Sequence, residues 1–304
     1  MKGSILYQAR TIFAMLDKIG TSKHQDKELA RANGAITKSD IAKQTGVYSF
    51  ATREQYINTS IELLQYAKEN FNIKDASKLN NEIVNSFLES KIASGVARST
   101  FDKYASAVEK FVTGLNKFQQ EHNLPQISID ISQTREQAKE ILERNTQSRA
   151  YENPQALINN IKDNTFKVIA EAQLSGGFRI SELNHMSLQN FLGNSTFLVI
   201  SGKGGLDREI QLPKNIYDKL LELAKQPNTT NNKFAFDMNA YRNELKAAAE
   251  RSNQVYTGSH GLRWNYAQNS YIKLSAKYGE VRALQMVSNL LGHSRSDITK
   301  HYLQ

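Results

Sequence analysis

The sequence predicts a mostly helical protein with a small β-hairpin, divided into two domains. Its 304 residues exceed the usual size of a single domain, so two separate cores are expected. Apolar residues recur at helical spacing through residues 54–117. Residues 196–212 instead hold two short β-type segments around a glycine-rich turn, and a polar stretch from Gln119 to Asn153 lies between the two patterns.

The first domain, residues 1–128, is predicted to be helical, with an N-terminal extension over residues 1–45. An apolar stretch from Ile5 to Ile19 predicts a helix in this extension. Ser39-Asp40 or Ser49 to Thr52 are candidate caps for later helices, because their side chains can accept hydrogen bonds from a first helical turn.

Three apolar faces predict three further helices in series. They are formed by Ile57, Ile61, Leu64 and Ala67, by Ile83, Phe87, Leu88 and Ile92, and by Phe101, Tyr104, Ala105, Val108, Phe111, Val112 and Leu115. Residues 129–149 are predicted to be a linker that contains one charged helix, around Arg135 to Arg144.

The second domain, residues 150–304, combines helices with the hairpin. A helical pattern from Ile158 to Ile169 is followed by Gly176-Gly177, which would end a helix or permit a close backbone approach. Residues 196–212 predict a β-hairpin with Lys203 near its tip. Helical patterns then resume at residues 216–224, 239–250, 262–274 and 280–291.

Composition excludes several functional classes. The chain has no cysteine, which rules out disulfides, a thiol nucleophile and cysteine metal sites. No apolar run approaches the roughly 20 residues that cross a bilayer, and the mean hydropathy is −0.54. The first residues also lack the apolar core of a secretory signal. A cytoplasmic protein without membrane contact is therefore expected.

The charge favours a polyanionic partner. The net charge is +9, and residues 251–304 hold seven lysines and arginines against two acidic residues, so this short segment carries more than half of the excess. Cationic side chains that neutralise phosphates release condensed counterions, which drives binding to nucleic acid. The alternative is a basic surface that is merely solvated.

Five residues in the second domain suit attack on a phosphodiester. Arg179 lies in G-G-F-R-I-S-E-L, His260 and Arg263 form H-x-x-R, His293 ends L-L-G-H, and Tyr302 follows nine residues later. A phosphate under attack builds negative charge on its non-bridging oxygens, and the planar fork of arginine can hold two oxygens without losing its proton.

Each of these motifs alone also has an ordinary explanation. The alternatives are an ion pair between Arg179 and Glu182 on a helix surface, a capping His260 beside a solvated Arg263, an exposed turn lysine at Lys203, a helix-terminal His293 and a packing Tyr302. The order and spacing of the motifs together therefore carry more information than any single one.

In that order and spacing, residues 150–304 resemble the tyrosine recombinase (phage integrase) family of Xer-like site-specific recombinases. The matching pieces are R-I-S-E-L, a lysine in a hairpin of G-K-G-x-x-x-R type, H-x-x-R, L-G-H and the final tyrosine. The preceding helices are similar, at pattern level, to the family's core-binding domain. The resemblance implies a helical core-binding domain and a mixed α/β catalytic domain that form a clamp around DNA.

The resemblance also implies catalytic roles. Tyr302 would attack the scissile phosphate and become joined to the DNA 3′ end, releasing a 5′-hydroxyl. Arg179 and Arg263 would clamp the non-bridging oxygens. Lys203 would protonate the leaving 5′-oxygen, and His260 would assist proton transfer at the nucleophile.

Of the remaining site residues, His293 would hydrogen-bond the phosphate and Glu182 would orient Arg179 or His260. Because positive side chains would do the work of a metal, no metal and no other cofactor are expected. Ligation would reverse the attack, with a 5′-hydroxyl from another strand.

The expected partner is double-stranded DNA with inverted-repeat half-sites, bound in the nucleoid by a homotetramer on two synapsed sites, with accessory proteins as further partners. Candidate phosphate contacts are Lys91, Arg98, Lys103 and Arg208; for the first three, which lie at helical spacing, a solvated face is an equal alternative. DNA integration, resolution of dimers and inversion would all use this chemistry.

Two departures from the family pattern stand out. Trp264 follows the second arginine where the family often has a small or polar residue, and Asn265-Tyr266-Ala267 lacks the usual threonine pattern; both are interpreted as helix-packing variation. The sequence also stops at Gln304, two residues beyond Tyr302, whereas family members commonly continue into a helix that docks on a neighbouring protomer; assembly through other surfaces, a different regulation and a shortened chain are the open alternatives.

Three other functions remain open on sequence grounds. A type IB topoisomerase-like nicking and rejoining enzyme would share the arginine, lysine, histidine and tyrosine chemistry but act as a monomer. A catalytically silent DNA-binding protein would not require the nucleophile. A helical scaffold unrelated to nucleic acid would require every motif to be coincidental.

Overall fold

The computed structural model describes residues 1, 3–144, 146–200, 207–293 and 296–303. The described chain is mostly helical with one small antiparallel sheet, which confirms the predicted fold class. It divides into two compact units, Met1–Asn145 and Thr146–Gln304. Within the described part, no helix is both long enough and apolar enough to cross a membrane.

The first unit consists of helices in series. These are α1 (Ile5–Ala14), α2 (Lys23–Ala32), α3 (Lys38–Gln44), α4 (Phe50–Phe71), α5 (Asn81–Ala93), α6 (Arg98–Glu121) and α7 (Ser132–Ile141). Ser49 caps α4 by accepting from the Thr52 amide, as predicted. At α3 the cap is Thr37, which forms a reciprocal capping box with Asp40, so Ser39 is not the cap.

The core of the first unit lies where α1, α4, α5 and α6 pack together. Phe13, Phe87 and Phe111 are almost fully buried there, which accounts for the apolar faces seen in the sequence. Part of the segment predicted as a linker also belongs to this core, because Ile131 and Ala138 are buried in it. Charged neighbours along α7 hide this sparse apolar face in the sequence.

The second unit mixes helices with the sheet. Its helices are α8 (Pro154–Asn159), α9 (Asn164–Gly176), α10 (Ile180–Leu183), α11 (Lys214–Ala224), α12 (Met238–Arg251), α13 (His260–Tyr278), α14 (Glu280–Leu290) and α15 (Ser296–Lys300), and a 3₁₀ turn covers His301–Leu303. The strands are β1 (Phe191–Gly193), β2 (Thr196–Val199) and β3 (Arg208–Gln211).

The sheet has the order β1-β2-β3, and both pairings are antiparallel. The pairing of β2 with β3, in which Val199 lies opposite Arg208, confirms the predicted hairpin. Strand β1 was not predicted, because three residues are too few for a β pattern to show. Lys203, predicted near the hairpin tip, lies outside the described residues.

Two apolar clusters support the second unit. The larger one contains Phe178, Phe197 and Leu245 and underlies the sheet and α9. A smaller cluster contains Trp264 and Leu291 together with Ala267, Val287 and Tyr302, on α13, α14 and the 3₁₀ turn. Tyr302, the candidate nucleophile, therefore packs in this smaller cluster and not in the larger one.

Candidate active site

Gly177 directs the chain into the site. Helix α9 ends at Gly176, and Gly177 takes the left-handed conformation at φ +62° that favours glycine after a helix. A β-carbon at Gly177 would lie 2.3 Å from Cδ1 of Tyr266, so a side chain is excluded for steric reasons as well. The sharp turn buries Phe178 and places Arg179 immediately before α10.

Arg179 is held by Glu182, one turn later in the chain. The Arg179 amide donates to Oε2 of Glu182 at 2.7 Å, and Nη1 donates to Oε1 at 2.7 Å. Arg208 donates to the same carboxylate from β3. Burial raises the pKa of Glu182, but the hydrogen bonds and charges of the two arginines outweigh it and lower the pKa to about 2. Glu182 is thus a permanent carboxylate at neutral pH.

Arg263 is the most deeply buried charge of the site. It is 0% exposed, and its terminal nitrogens donate to the backbone oxygens of Gly177 and Leu291. Burial, followed by repulsion from Arg179, lowers its pKa to about 10, so the guanidinium keeps its proton at neutral pH. Among the described residues its Nε has no hydrogen-bond partner. Two backbone carbonyls therefore fix the plane of this cation.

Tyr302 contacts both histidines. Nε2 of His260 lies 2.6 Å from the Tyr302 hydroxyl, within hydrogen-bond distance. The His293 ring centroid is 5.3 Å from that of Tyr302. The Arg263 guanidinium carbon lies 6.0 Å from the Tyr302 ring centroid. A phenol beside a proton acceptor and a fixed cation is an arrangement that suits nucleophilic attack on a phosphate.

His293 is anchored on both ring nitrogens. Nδ1 lies 2.9 Å from the Thr299 hydroxyl, and Nε2 lies 3.4 Å from Nη2 of Arg263. Burial lowers the pKa of His293 to about 4, with further contributions from Arg263 and the other nearby cations. The imidazole is therefore neutral at pH 7, so one ring nitrogen carries a proton and the other accepts a hydrogen bond.

Trp264 packs against the ring of Tyr302. The indole is 1% exposed, and its ring centroid lies 5.2 Å from Tyr302 and 5.0 Å from His301. The sequence interpretation of Trp264 as helix packing did not identify Tyr302 as its partner. The signal in the sequence for this contact was a large aromatic residue directly after the arginine of H-x-x-R.

The structure thus brings five predicted site residues together: Arg179, His260, Arg263, His293 and Tyr302, with Glu182 beside Arg179. Arg208, predicted as a DNA contact, lies in the same group on Glu182. Lys203 lies outside the described residues. No group of three or more potential metal ligands occurs among the residues whose positions are described.

The other predicted DNA contacts lie in the first unit. Lys91 pairs with Glu62 at 2.8 Å, and its ammonium lies 4.7 Å from the Tyr104 ring centroid. Arg98 is 4% exposed and donates to Asp102, whereas Lys103 is exposed. Contacts of these residues with phosphate remain predictions.

The sequence profile of the Phage integrase family matches residues 136–304, which is more than half of the chain. The protein therefore belongs to the phage integrase family. No curated protein matched the sequence.

Solved structures of integrases have a similar fold. The Tn1549 transposon integrase in complex with transposon right-end DNA matches with a TM-score of 0.56 at 12% identity, over 93% of this chain and 95% of that one. A lambda integrase dimer bound to a COC′ core site matches with a TM-score of 0.56 at 14% identity, over 93% and 76%. XerA recombinase matches at 15% identity with a TM-score of 0.43, over 93% and 92%. At the identities of the first two, the likeness concerns the fold alone.

Proposed function

We propose that this protein is a site-specific DNA recombinase that cleaves and rejoins duplex DNA through a covalent bond between Tyr302 and a DNA 3′-phosphate. The observation that carries the proposal is the 2.6 Å contact between the Tyr302 hydroxyl and His260, beside the buried guanidinium of Arg263. Membership of the phage integrase family supports it. Neither a binding protein nor a scaffold requires a phenol held in this way.

Cleavage is a transesterification. The Tyr302 oxygen forms a bond to the scissile phosphorus as the bond from phosphorus to the 5′-oxygen breaks. His260 accepts the phenolic proton, because its Nε2 already lies at hydrogen-bond distance from that oxygen. Lys203 gives a proton to the leaving 5′-oxygen; this role rests on the family resemblance. The reverse attack by a 5′-hydroxyl of another strand reseals the DNA, so no external energy source is needed.

The arginines stabilise the charge that develops on the phosphate. Arg263 is oriented by two backbone carbonyls, and Arg179 is oriented by Glu182, before any substrate arrives. Preorganised donors in a buried site need little rearrangement in the transition state, which is the main source of electrostatic catalysis. His293, neutral at pH 7, donates a further hydrogen bond to a phosphate oxygen from Nε2, in the tautomer in which Nδ1 accepts from the Thr299 hydroxyl; the phosphate then replaces the 3.4 Å contact of Nε2 with Arg263.

The proposed substrate is duplex DNA with inverted-repeat half-sites, and exchange requires a homotetramer on two synapsed sites. Two similar structures contain DNA, one of an integrase on transposon-end DNA and one of an integrase dimer on a core site. The net charge of +9 is consistent with a polyanionic partner. Integration, dimer resolution and inversion all proceed by this chemistry, with accessory proteins setting direction.

The test is a search for covalent protein–DNA adducts in cells. Wild type, Tyr302→Phe and the control Tyr271→Phe, which changes another tyrosine of the same unit, are expressed, denatured, captured and sequenced through the attached DNA. Adducts are expected from wild type and from the control, with ends at a discrete inverted repeat, and not from Tyr302→Phe. An adduct that survives in Tyr302→Phe would move the nucleophile elsewhere.

The remaining outcomes also decide between functions. Dispersed ends would indicate a topoisomerase, and background recovery from all three proteins would indicate a DNA-binding protein without cleavage. The polarity is read from the recovered complexes: a free 5′-hydroxyl that accepts a label from a kinase, with a blocked 3′ end, is expected. The opposite polarity would contradict the proposed 3′ linkage.

A further inference from the structure

Arg208 opens β3 and directs its guanidinium inwards. Nη1 donates to Oε1 of Glu182 at 2.8 Å and Nη2 donates to Oε2 at 2.6 Å, so both terminal nitrogens hold one carboxylate. The side chain is only 8% exposed. Such a two-pronged contact has a defined geometry that a lysine cannot reproduce. The fork that would grip a DNA phosphate is therefore already occupied.

The same carboxylate holds Arg179. Glu182 accepts from the Arg179 amide and from its Nη1, both at 2.7 Å, in addition to the two hydrogen bonds from Arg208. Its side chain is 5% exposed, so water contributes little to its solvation. The orientation of Glu182, and through it that of Arg179, therefore depends on the donors of Arg208.

Arg208 also lies against the turn that presents His293. A β-carbon at Gly292 would approach Cδ of Arg208 to 3.1 Å and Nη1 to 3.2 Å. Gly292 adopts φ +64°, which lets the turn pass close to the guanidinium. One side chain of β3 thus contacts both the segment of Arg179 and the segment of His293.

The electrostatics explain why a third arginine is useful at this place. Arg208 is among the cations that lower the pKa of Arg263, so its charge opposes that of its neighbours. Its pairing with Glu182 compensates this repulsion. It also means that the negative charge of the carboxylate is shared between Arg208 and Arg179. Without Arg208, Glu182 would neutralise Arg179 alone and weaken the action of Arg179 on a phosphate.

We infer that Arg208 is a positioning residue of the cleavage reaction: it fixes Glu182 so that Arg179 faces the scissile phosphate, and it joins the hairpin to the His293 turn. This inference rests on the proposed function. Arg208 acts through Arg179, so its effect depends on the negative charge of the phosphate that Arg179 neutralises.

The test compares two DNA substrates of the sequence recovered from the cellular adducts. One has an ordinary phosphodiester at the scissile position, and the other has a methylphosphonate, which lacks the charged oxygen. Adduct formation is measured in single turnover at saturating DNA, and the dissociation constant is measured separately. Arg208→Lys keeps the charge and removes the fork, and Arg282→Lys, an exposed arginine of α14, makes the same change away from the site.

Arg208→Lys should slow cleavage of the phosphodiester about 100-fold, the scale expected for a small misplacement of a catalytic group. Cleavage of the methylphosphonate and the dissociation constant should stay close to wild type, and Arg282→Lys should match wild type throughout. Equal slowing on both substrates would indicate general structural damage and overturn the inference. Weaker DNA binding with a normal cleavage rate at saturation would make Arg208 a DNA contact instead. An unchanged cleavage rate with unchanged binding would also overturn the inference. A wild-type protein that forms no adduct refutes the proposed function itself, and this inference with it.

Discussion

Replacement of Trp264 by alanine should weaken the packing of the segment that carries Tyr302. The indole is 1% exposed and contacts two rings of this segment, those of Tyr302 at 5.2 Å and His301 at 5.0 Å. Aromatic pairs contribute about 0.5–1.5 kcal/mol each beyond the area that they bury. Loss of both pairs should therefore weaken the docking of residues 296–303 by about 1–3 kcal/mol. Since 1.4 kcal/mol is a factor of ten, the docking equilibrium should fall by roughly 5- to 150-fold.

Hydrogen exchange measures this effect without DNA. Faster amide exchange is expected in residues 296–303 of Trp264→Ala, whereas helix α9 should keep its protection because it belongs to the larger cluster. Trp264→Phe keeps an aromatic ring, so its amide exchange in residues 296–303 should be intermediate between those of wild type and Trp264→Ala. Unchanged exchange in residues 296–303, or an equal loss of protection throughout the second unit, would refute the argument that Trp264 specifically supports the tyrosine.

Three further predictions concern single residues. Gly177→Ala should destabilise the protein by about 1–3 kcal/mol, because φ is +62° and a β-carbon would meet Tyr266 at 2.3 Å; Gly95→Ala, with φ +68° and open space, should cost less, and equal losses of unfolding free energy in urea would contradict this. Because burial lowers the pKa of His293 from 6.5 to about 4, the unfolded chain binds a proton in this window that the folded chain does not. The free energy of unfolding should therefore fall as the pH drops from 6.5 to 4, and His293→Gln should flatten that fall; parallel curves would argue against it. Lys203→Ala should slow cleavage of a 5′-oxygen leaving group much more than that of a 5′-thio group, and equal slowing would remove Lys203 as the proton donor.

The fold was predictable wherever an apolar period was long enough to show. Helices α4, α5 and α6 follow the three faces identified in the sequence, and the β2–β3 hairpin follows its β-branched segments. Very short strands and sparse buried faces were not predictable, although α7 itself was predicted as a charged helix. Strand β1 spans three residues, and the buried face of α7 is confined to a few residues among charges.

The candidate site was predictable as a set of residue types but not as a network. Each motif names its own residue, so the group of Arg179, Arg263 and Tyr302 was expected from the sequence alone. The contact of Arg208 with Glu182 joins residues that are 26 positions apart, and it depends on how the sheet packs against α10. Sequence spacing contains no information about this distance, which is why a phosphate contact was the natural expectation for Arg208.

The net charge of the assembled site is consistent with the proposed phosphate diester substrate. Three guanidiniums, those of Arg179, Arg208 and Arg263, converge, and within the described residues Glu182 is the carboxylate that pairs with the first two. The group therefore retains net positive charge in a place where burial already lowers the pKa of Arg263. Folding must hold these cations together against their repulsion. Under the proposed function, a bound phosphate diester would relieve this repulsion, and the relief would be largest when attack by Tyr302 places additional negative charge on the phosphate oxygens. The free energy that it costs to hold the cations together would then be regained in the transition state of the proposed cleavage, which would accelerate the reaction.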